Sequence, residues 1–555
     1  MEFATYILLA TFLLSLLALL LFIVSMSRGM FGTEAGAANM IFAPGERGRV
    51  EDPSLPAQTL RKLQSAMTPN DAAPADANSE ELQRRTEADR SSAGPALLCL
   101  LFAVLWLLVG SMFGLIASLK MHLPDWLTAE AWLTFGRMRS SHLNVVAYGW
   151  SSMAGVGVAL WLIPRLLQTP LRGARYAYTG IVLWNVGVLA GVGALLAGWT
   201  EGLEWLEFPW QIDILLFSGG ALMGMPLAIT LLHRRSPHLY VSVWYMVAAL
   251  LWFPVLFFIA NIPGLHFGVQ QATMNWWYGH NALGLWFTPL GLAAAYYFIP
   301  KILGKPIHSY NLSLLGFWGL AFFYSQVGGH HLIGGPVPSW FVTISIVQSV
   351  MMLIPVIAVA INQHMTVLGS FRALLYSPTL RFIVLGAMMY TVASVQGSLM
   401  SFRGVNTITH FTHYTVAHAH IGLYGFFAFV MFGSMYFILP RIMGREWPHP
   451  RLIGVHFWLV TLGIGIYFVG LSIGGWLQGQ YMLDAARSFS ESVAVTKPYL
   501  ASRSVGGLLM TLGHLVFAVH ILILVLGRGP QRTSAARLRD LFWLDRSLPS
   551  TGVAK

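Results

Sequence analysis

One cysteine, Cys99, occurs in the whole 555-residue chain, inside an apolar run. A single thiol excludes a disulfide framework, and no Cys-x-x-Cys-His run exists to attach a c-type haem. Charge is scarce too: Asp, Glu, Lys and Arg make up 10% of residues against 56% hydrophobic. Soluble domains carry roughly a quarter charged residues, so a soluble globular fold is excluded. Acids are scarcer than bases, which leaves a net charge of +11. In a soluble chain that surplus would suggest nucleic acid; in a membrane chain it reflects basic cytoplasmic loops, so no nucleic-acid partner is expected.

Long apolar runs are present instead. Crossing a bilayer takes about 20 apolar residues per helix, and only helices or closed barrels satisfy their backbone there. The runs are unbroken, so the expected fold is an all-α integral membrane protein. Residues 5–25 are long for a signal sequence and lack a small-residue cleavage site, so residues 1–26 are expected to be a retained transmembrane anchor. Residues 27–94 have no hydrophobic periodicity and are expected to be a mobile polar linker. Twelve further spans are expected over 95–527, with a basic tail at 528–555. One alternating set of loops is basic, with Arg172, Arg234, Lys301, Arg372 and Arg441; the other is acidic, with Glu201, Glu204 and Glu207. The basic set, the linker and the C-terminus are then cytoplasmic.

Histidine stands where charge does not. His142 opens the second core span, His280 lies near the start of the sixth, His330 and His331 end the seventh, and His418 and His420 open the tenth. With spans alternating in direction, all six fall in one layer of the outer half of the membrane. Ionisable residues inside spans mark functional sites by default, and neutral imidazole is a ligand for copper, iron and zinc. Each helical residue turns about 100°, so His418 and His420 point roughly 200° apart and serve two separate centres. His330 and His331 can both turn to one ion, with His280 supplying a third nitrogen. His456, His514 and His520 do not share this setting, and core or interface roles are expected for them.

At these residues the chain resembles the catalytic subunit of the haem-copper oxidases, cbb3-type. The resemblance covers about 95–527. It rests on Gly136-Arg137-Met138-Arg139-Ser140-Ser141-His142, on Trp276-Trp277-Tyr278-Gly279-His280-Asn281, on Tyr324 ahead of His330-His331, on His418-Ala419-His420, and on Ser488-Phe489-Ser490-Glu491-Ser492. It implies a twelve-helix core in which His142 and His420 ligate a low-spin haem b and His418 a high-spin haem b. His280, His330 and His331 would hold copper, with Tyr324 as the active-site tyrosine, joined covalently to His280. Tyr310 and Ser313 match a single proton path from the cytoplasm, and Arg137, Arg139 and Arg403 are available to haem propionates, with a calcium ion nearby. The resemblance further implies membrane-anchored mono- and dihaem c-type cytochrome subunits as partners, dioxygen and protons as substrates, proton pumping, and a bacterial inner membrane. Residues 1–45 look like a small single-span maturation protein fused to the core.

Splitting dioxygen takes four electrons at once, and a buried phenol beside the metals can supply one electron and a proton. Nitric oxide reductases share the fold and the six histidines but carry a Glu four residues after the first metal histidine, a hard ligand that favours iron. That position is Gly284 here. The chain also departs from the oxidase pattern: Gln396 replaces a Glu and His413 an Asp, which touches the basicity of the proximal histidine. A metal-binding transporter is the third alternative.

Overall fold

The computed structural model describes residues 34–43, 46–56, 59–60, 79–236 and 238–530, with scattered positions before 34. Most of the expected anchor and the tail beyond 530 lie outside the described residues. Twelve helical elements follow one another where hydropathy requires spans. They are α1 Ser79–Lys120, α2 Phe135–Leu166, α3 Ala174–Ala197, α4 Trp210–Leu232, α5 Val241–Ala260 and α6 Gly268–Leu303. After these come α7 Tyr310–Phe323, α8 Ser339–Val367, α9 Pro378–Met400, α10 His413–Met443, α11 Arg451–Leu483 and α12 Phe489–Val525.

Eleven of the twelve are long and apolar enough to cross a membrane. The exception is α7, which stops after 14 residues and continues as a 3-10 helix over Tyr324–Leu332. Tighter winding eclipses side chains three apart and rarely persists. Here it carries the chain through Gly328 and Gly329 and delivers two adjacent histidines at its end. No β-strand occurs among the described residues.

Three helices, α2, α6 and α10, are the most enclosed of the set, and they repeat one design. His142, His280 and His418 stand at equal intervals along the chain. Each is followed three residues later by a π-helical segment, Val145–Ser151, Leu283–Phe287 and Ile421–Ala428. The wider turn re-aims the side chains around it, and such turns cluster at functional sites. Each helix then ends in proline and a cation: Pro164-Arg165, Pro300-Lys301 and Pro440-Arg441.

Those three cations correct one expectation. The stretch 27–94 is not simply a mobile linker, because its described parts are docked on the basic face. Lys301, with no exposed side-chain surface, pairs with Glu46 and Glu51; Arg441 pairs with Glu51, and Arg165 with Asp89. Burial alone would raise the Glu46 carboxyl, but Lys301 and Arg165 hold it down at about 2. Asp52 accepts hydrogen bonds from Ser377 and Ser54, and Arg85 donates to the carbonyls of Met40 and Phe42. The first core helix also begins at Ser79, well before 95. Its first turns are polar and held by ion pairs from Arg84 to Glu80 and Arg85 to Glu81, a pattern that hydropathy does not register.

Candidate functional site

Three imidazoles meet beside α6. One ring nitrogen from each of His280, His330 and His331 lies within 4.8 Å of the others. The π-turn that begins at Leu283 fixes His280, and the 3-10 segment presents the other two. His330 Nδ1 lies 2.8 Å from Ser349 Oγ, whose own proton goes to the Ser345 carbonyl. The imidazole must therefore donate from Nδ1, which leaves Nε2 with its lone pair as the ligand atom. His331 stacks on Trp276 at 4.0 Å with the rings 7° from parallel. Three neutral nitrogens without a carboxylate suit copper better than a hard cation.

Tyr324 stands at the same centre, its ring 5.2 Å from the His280 ring. The space it fills is the space that a side chain at 284 would need: a Cβ built on Gly284 overlaps the Tyr324 ring. Glycine is required there by close approach, and the tyrosine excludes a carboxylate at that position.

The second pair also comes together. His142 and His420 lie on α2 and α10 with ring centroids 6.4 Å apart and planes 10° from parallel. His142 Nδ1 sits 2.7 Å from the Gly110 carbonyl and His420 Nδ1 2.9 Å from the Val416 carbonyl. Carbonyls only accept, so both rings donate from Nδ1 and keep Nε2 for a ligand. The space between them belongs to a cavity of ≈ 970 Å³ including its mouth, lined by Ser111, Trp150, Tyr424, Tyr467, Arg503 and His514 among others. Gly114 keeps that space open, since a Cβ there would meet the His142 ring. The Tyr467 hydroxyl lies 3.1 Å from His420 Nε2. The parallel rings, the Nε2 lone pairs and the volume fit a planar macrocycle held between two imidazoles, with the Tyr467 hydroxyl on the His420 lone pair that ligation would take.

His418, two residues before His420, faces the other way. Its ring lies over Gly397, where a Cβ would come within 2.9 Å of Cε1, and its Nδ1 is buried without a partner. Gln396 beside it is buried with Oε1 likewise unpartnered. His413 heads α10, its backbone N–H donating to Gln478 Oε1 at 3.0 Å.

The expected arginines are scattered. Arg137 donates to the Leu196 carbonyl, and Arg403 lies at the surface against Thr343. Arg139 pairs with Glu204 and approaches Glu207 at 3.9 Å. Burial and the Glu204 charge push the Glu207 carboxyl up to about 7 against the opposing hydrogen bond from Asn144. The guanidinium that lines the cavity is instead Arg503. A charge inside an apolar span was its sequence signal. Tyr310 donates to the Leu239 carbonyl at 3.0 Å, and Ser313 to the Tyr310 carbonyl at 2.6 Å.

His456, His514 and His520 are buried, as a core role requires. The His456 ring lies 6.5 Å from that of His514, His456 and His520 lie against Tyr436, and His514 bonds Tyr424 and reaches the cavity. Their spacing on different helices gave no sign of that.

Comparison with known proteins agrees with this geometry. The family model described as cytochrome C and quinol oxidase polypeptide I matches residues 94–509. The chain is 31% identical to a cytochrome c oxidase subunit 1 homolog of Agrobacterium tumefaciens, over 76% of this chain and 82% of that one. It is 31% identical to the Cbb3-type cytochrome c oxidase subunit CcoN1 of Stutzerimonas stutzeri, over 79% and 95%. A nitric oxide reductase polypeptide of the same organism is more distant, at 24% over 74% and 90%. A haem-copper terminal oxidase dimer solved by cryo-electron microscopy shares the fold with a TM-score of 0.63 at 16% identity, covering 85% of this chain and 88% of that one.

Proposed function

This chain belongs to the cytochrome c and quinol oxidase polypeptide I family of haem-copper oxidases, and from that premise we propose that it is the catalytic subunit of a cbb3-type terminal oxidase that couples dioxygen reduction to proton translocation. The observation that carries the proposal is Tyr324, packed against Gly284 beside three histidines with no carboxylate among them.

His142 and His420 would hold a low-spin haem b through Nε2, His418 a high-spin haem b, and His280, His330 and His331 a copper ion. When bound, the high-spin haem and the copper would supply the reducible metals for dioxygen reduction, and the low-spin haem would pass electrons to them. The chain's residues do the rest. Carbonyl and serine acceptors fix the tautomers of His142, His420 and His330. Tyr324 supplies one electron and one proton from its hydroxyl, and its crosslink to His280 is part of the proposal. Arg503, with Arg137, Arg139 and Arg403 farther out, would neutralise propionates. Glu204 and Glu207 share essentially one cation, Arg139, and Glu207 Oε1 has the long Arg139 contact but no hydrogen bond, which supports a calcium ion held near the propionates.

Protons would enter from the basic face, taken as cytoplasmic. Tyr310 and Ser313 start the path, but Phe317 and Leu320 stand between them and Tyr324 on α7. Neighbouring tyrosines offer the detour. The Tyr240 ring lies 6.1 Å from that of Tyr310, Tyr240 donates to the Tyr296 carbonyl, and Tyr245 stacks on Tyr296 with its own hydroxyl unpartnered. Each unit charge moved against ~100 mV costs about 2.3 kcal/mol, which the fall from donor to dioxygen must exceed. Mono- and dihaem c-type cytochromes anchored in the bacterial inner membrane would deliver electrons to the acidic face, while the C-terminus stays cytoplasmic. Residues 1–26 would be a fused maturation-type anchor, and 95–527 the catalytic core.

Oxygen consumption by the purified complex with reduced cytochrome c as donor tests the reading. An oxidase turns over dioxygen far faster than nitric oxide. The reverse order would make it a nitric oxide reductase.

A further inference from the structure

The three helices that carry histidine ligands also end alike on the basic face. Arg165, Lys301 and Arg441 stand 21–23 residues after His142, His280 and His418 on the same helices, about 32–35 Å away at 1.5 Å per residue. Each of α2, α6 and α10 therefore presents imidazole near one end and a cation at the other. Cations gathered at one face repel, and one that is buried without a partner loses its solvation.

What pairs with these cations lies outside the core. Residues 46–56 precede the stretch 94–509 that matches the family, yet they bind α6, α9 and α10 and face α2. The Glu51 carboxylate reaches Lys301 on α6 at 3.2 Å and also Arg441 on α10, so one side chain joins two ligand-bearing helices. Glu46 pairs with Lys301, and the charge of Arg165 on α2 acts on it as well. Arg165 Nε in turn donates to the Tyr297 hydroxyl of α6 at 3.0 Å, which links the third helix.

The backbone of this arm is fitted to the core too. The Gly48 N–H donates to the Gly304 carbonyl at 2.8 Å, and that of Glu51 to the Ile302 carbonyl at 3.0 Å. A Cβ at Gly304 would collide with the main chain of Arg49. Farther along, Asp52 accepts from Ser377, and the Thr379 hydroxyl donates to Ser54 Oγ at 2.8 Å, both at the start of α9. Val50, Asp52, Ser54 and Leu55 are buried. A passive connector would leave its carboxylates and backbone to water; this one is built into the face.

Two sets of cross-links thus act on the same three helices. Haem between His142 and His420, and haem and copper between His418 and His280, would draw the histidine ends together. The arm draws the cation ends together. Each favours the arrangement the other needs, and such coupling is reciprocal, typically about 5–150-fold in affinity. We propose that residues 46–56 are a latch on the three ligand-bearing helices, so that docking of the arm and retention of the cofactors favour one another. It rests on the reading that the six histidines hold two haems and a copper.

Cysteine variants of the full chain test both directions, with the native Cys99 fully buried and silent. Ser54 is 1% exposed while the arm is docked, so Ser54→Cys reports undocking through its reaction with a maleimide. It should react at least about fivefold faster in protein produced without haem than in the haem-loaded enzyme. Ser54→Cys combined with Thr379→Cys sets two thiols within reach of a disulfide that locks the arm down. Haem transfer to apomyoglobin should be at least about fivefold slower from the locked form than from the same protein with the disulfide reduced. Because that protein is compared with itself, a general loss of stability does not produce the difference. Equal labelling with and without haem would overturn the latch, as would equal haem transfer from the locked and open forms. A wild type that carries no haem would overturn the reading of the histidines, and the latch with it. If the disulfide does not close, the labelling decides.

Discussion

Tyr324 and Gly284 compete for one volume: the tyrosine ring occupies the place where any side chain at 284 would begin. The choice between the two chemistries of this fold is therefore steric as well as chemical. A chain with a carboxylate at 284 cannot keep Tyr324 where it is.

Gly284→Ala should accordingly displace Tyr324 from His280. Overpacking at such a site costs about 1–3 kcal/mol. Oxygen turnover should fall at least a hundredfold, while the reduced haem spectrum of the His142–His420 site is retained. A Gly284→Ala enzyme with wild-type turnover would show that the tyrosine's position is immaterial.

Tyr324→Phe removes only the hydroxyl. The site should still bind copper and both haems, and steady-state oxygen consumption should be lost. Retained metals together with full activity would remove the tyrosine from the chemistry.

Ser349→Ala removes the acceptor that fixes His330. Loss of such a supporting hydrogen bond typically weakens metal binding about 10–100-fold. Copper retained after dialysis against a chelator should fall, with haem content unchanged; equal copper in both proteins would contradict the assigned tautomer.

The docked segment gives a pH-dependent prediction. Glu46 is held at about 2, below its usual 4.5, so it stabilises the folded state above pH 4.5 and loses that contribution as pH falls from 4.5 towards 2. Glu46→Gln should destabilise the protein by ~2 kcal/mol at pH 7. Its melting temperature should approach that of wild type as the medium is acidified through that window. A constant difference across the window would show that the Lys301 pair does not act through the charge of Glu46.

Much of the site was legible in the sequence because histidine is costly inside a membrane span. The six ligand candidates stood out on depth alone, and the structure brings His280 to His330 and His331, and His142 to His420. The equal intervals between His142, His280 and His418 carried a further sign of three repeated helices. What stayed hidden depended on packing between distant helices. Arg503, Tyr467 and Ser349 come from elements whose facing is not set by hydropathy. His456, His514 and His520 look unrelated until α11 and α12 are laid side by side. The segment 34–56 reads as a linker because it is anchored by the ion pairs of Glu46 and Glu51 and the hydrogen bonds to Asp52, which leave no periodic trace.

The proposed chemistry depends on the six imidazoles dividing between two haems and one copper. The most direct measurement is the metal and haem content of the purified protein, taken with its reduced-minus-oxidised optical spectrum. Two b-type haems and one copper per chain are predicted, with one haem six-coordinate. Non-haem iron in place of copper, or a chain that carries no haem, would contradict that division.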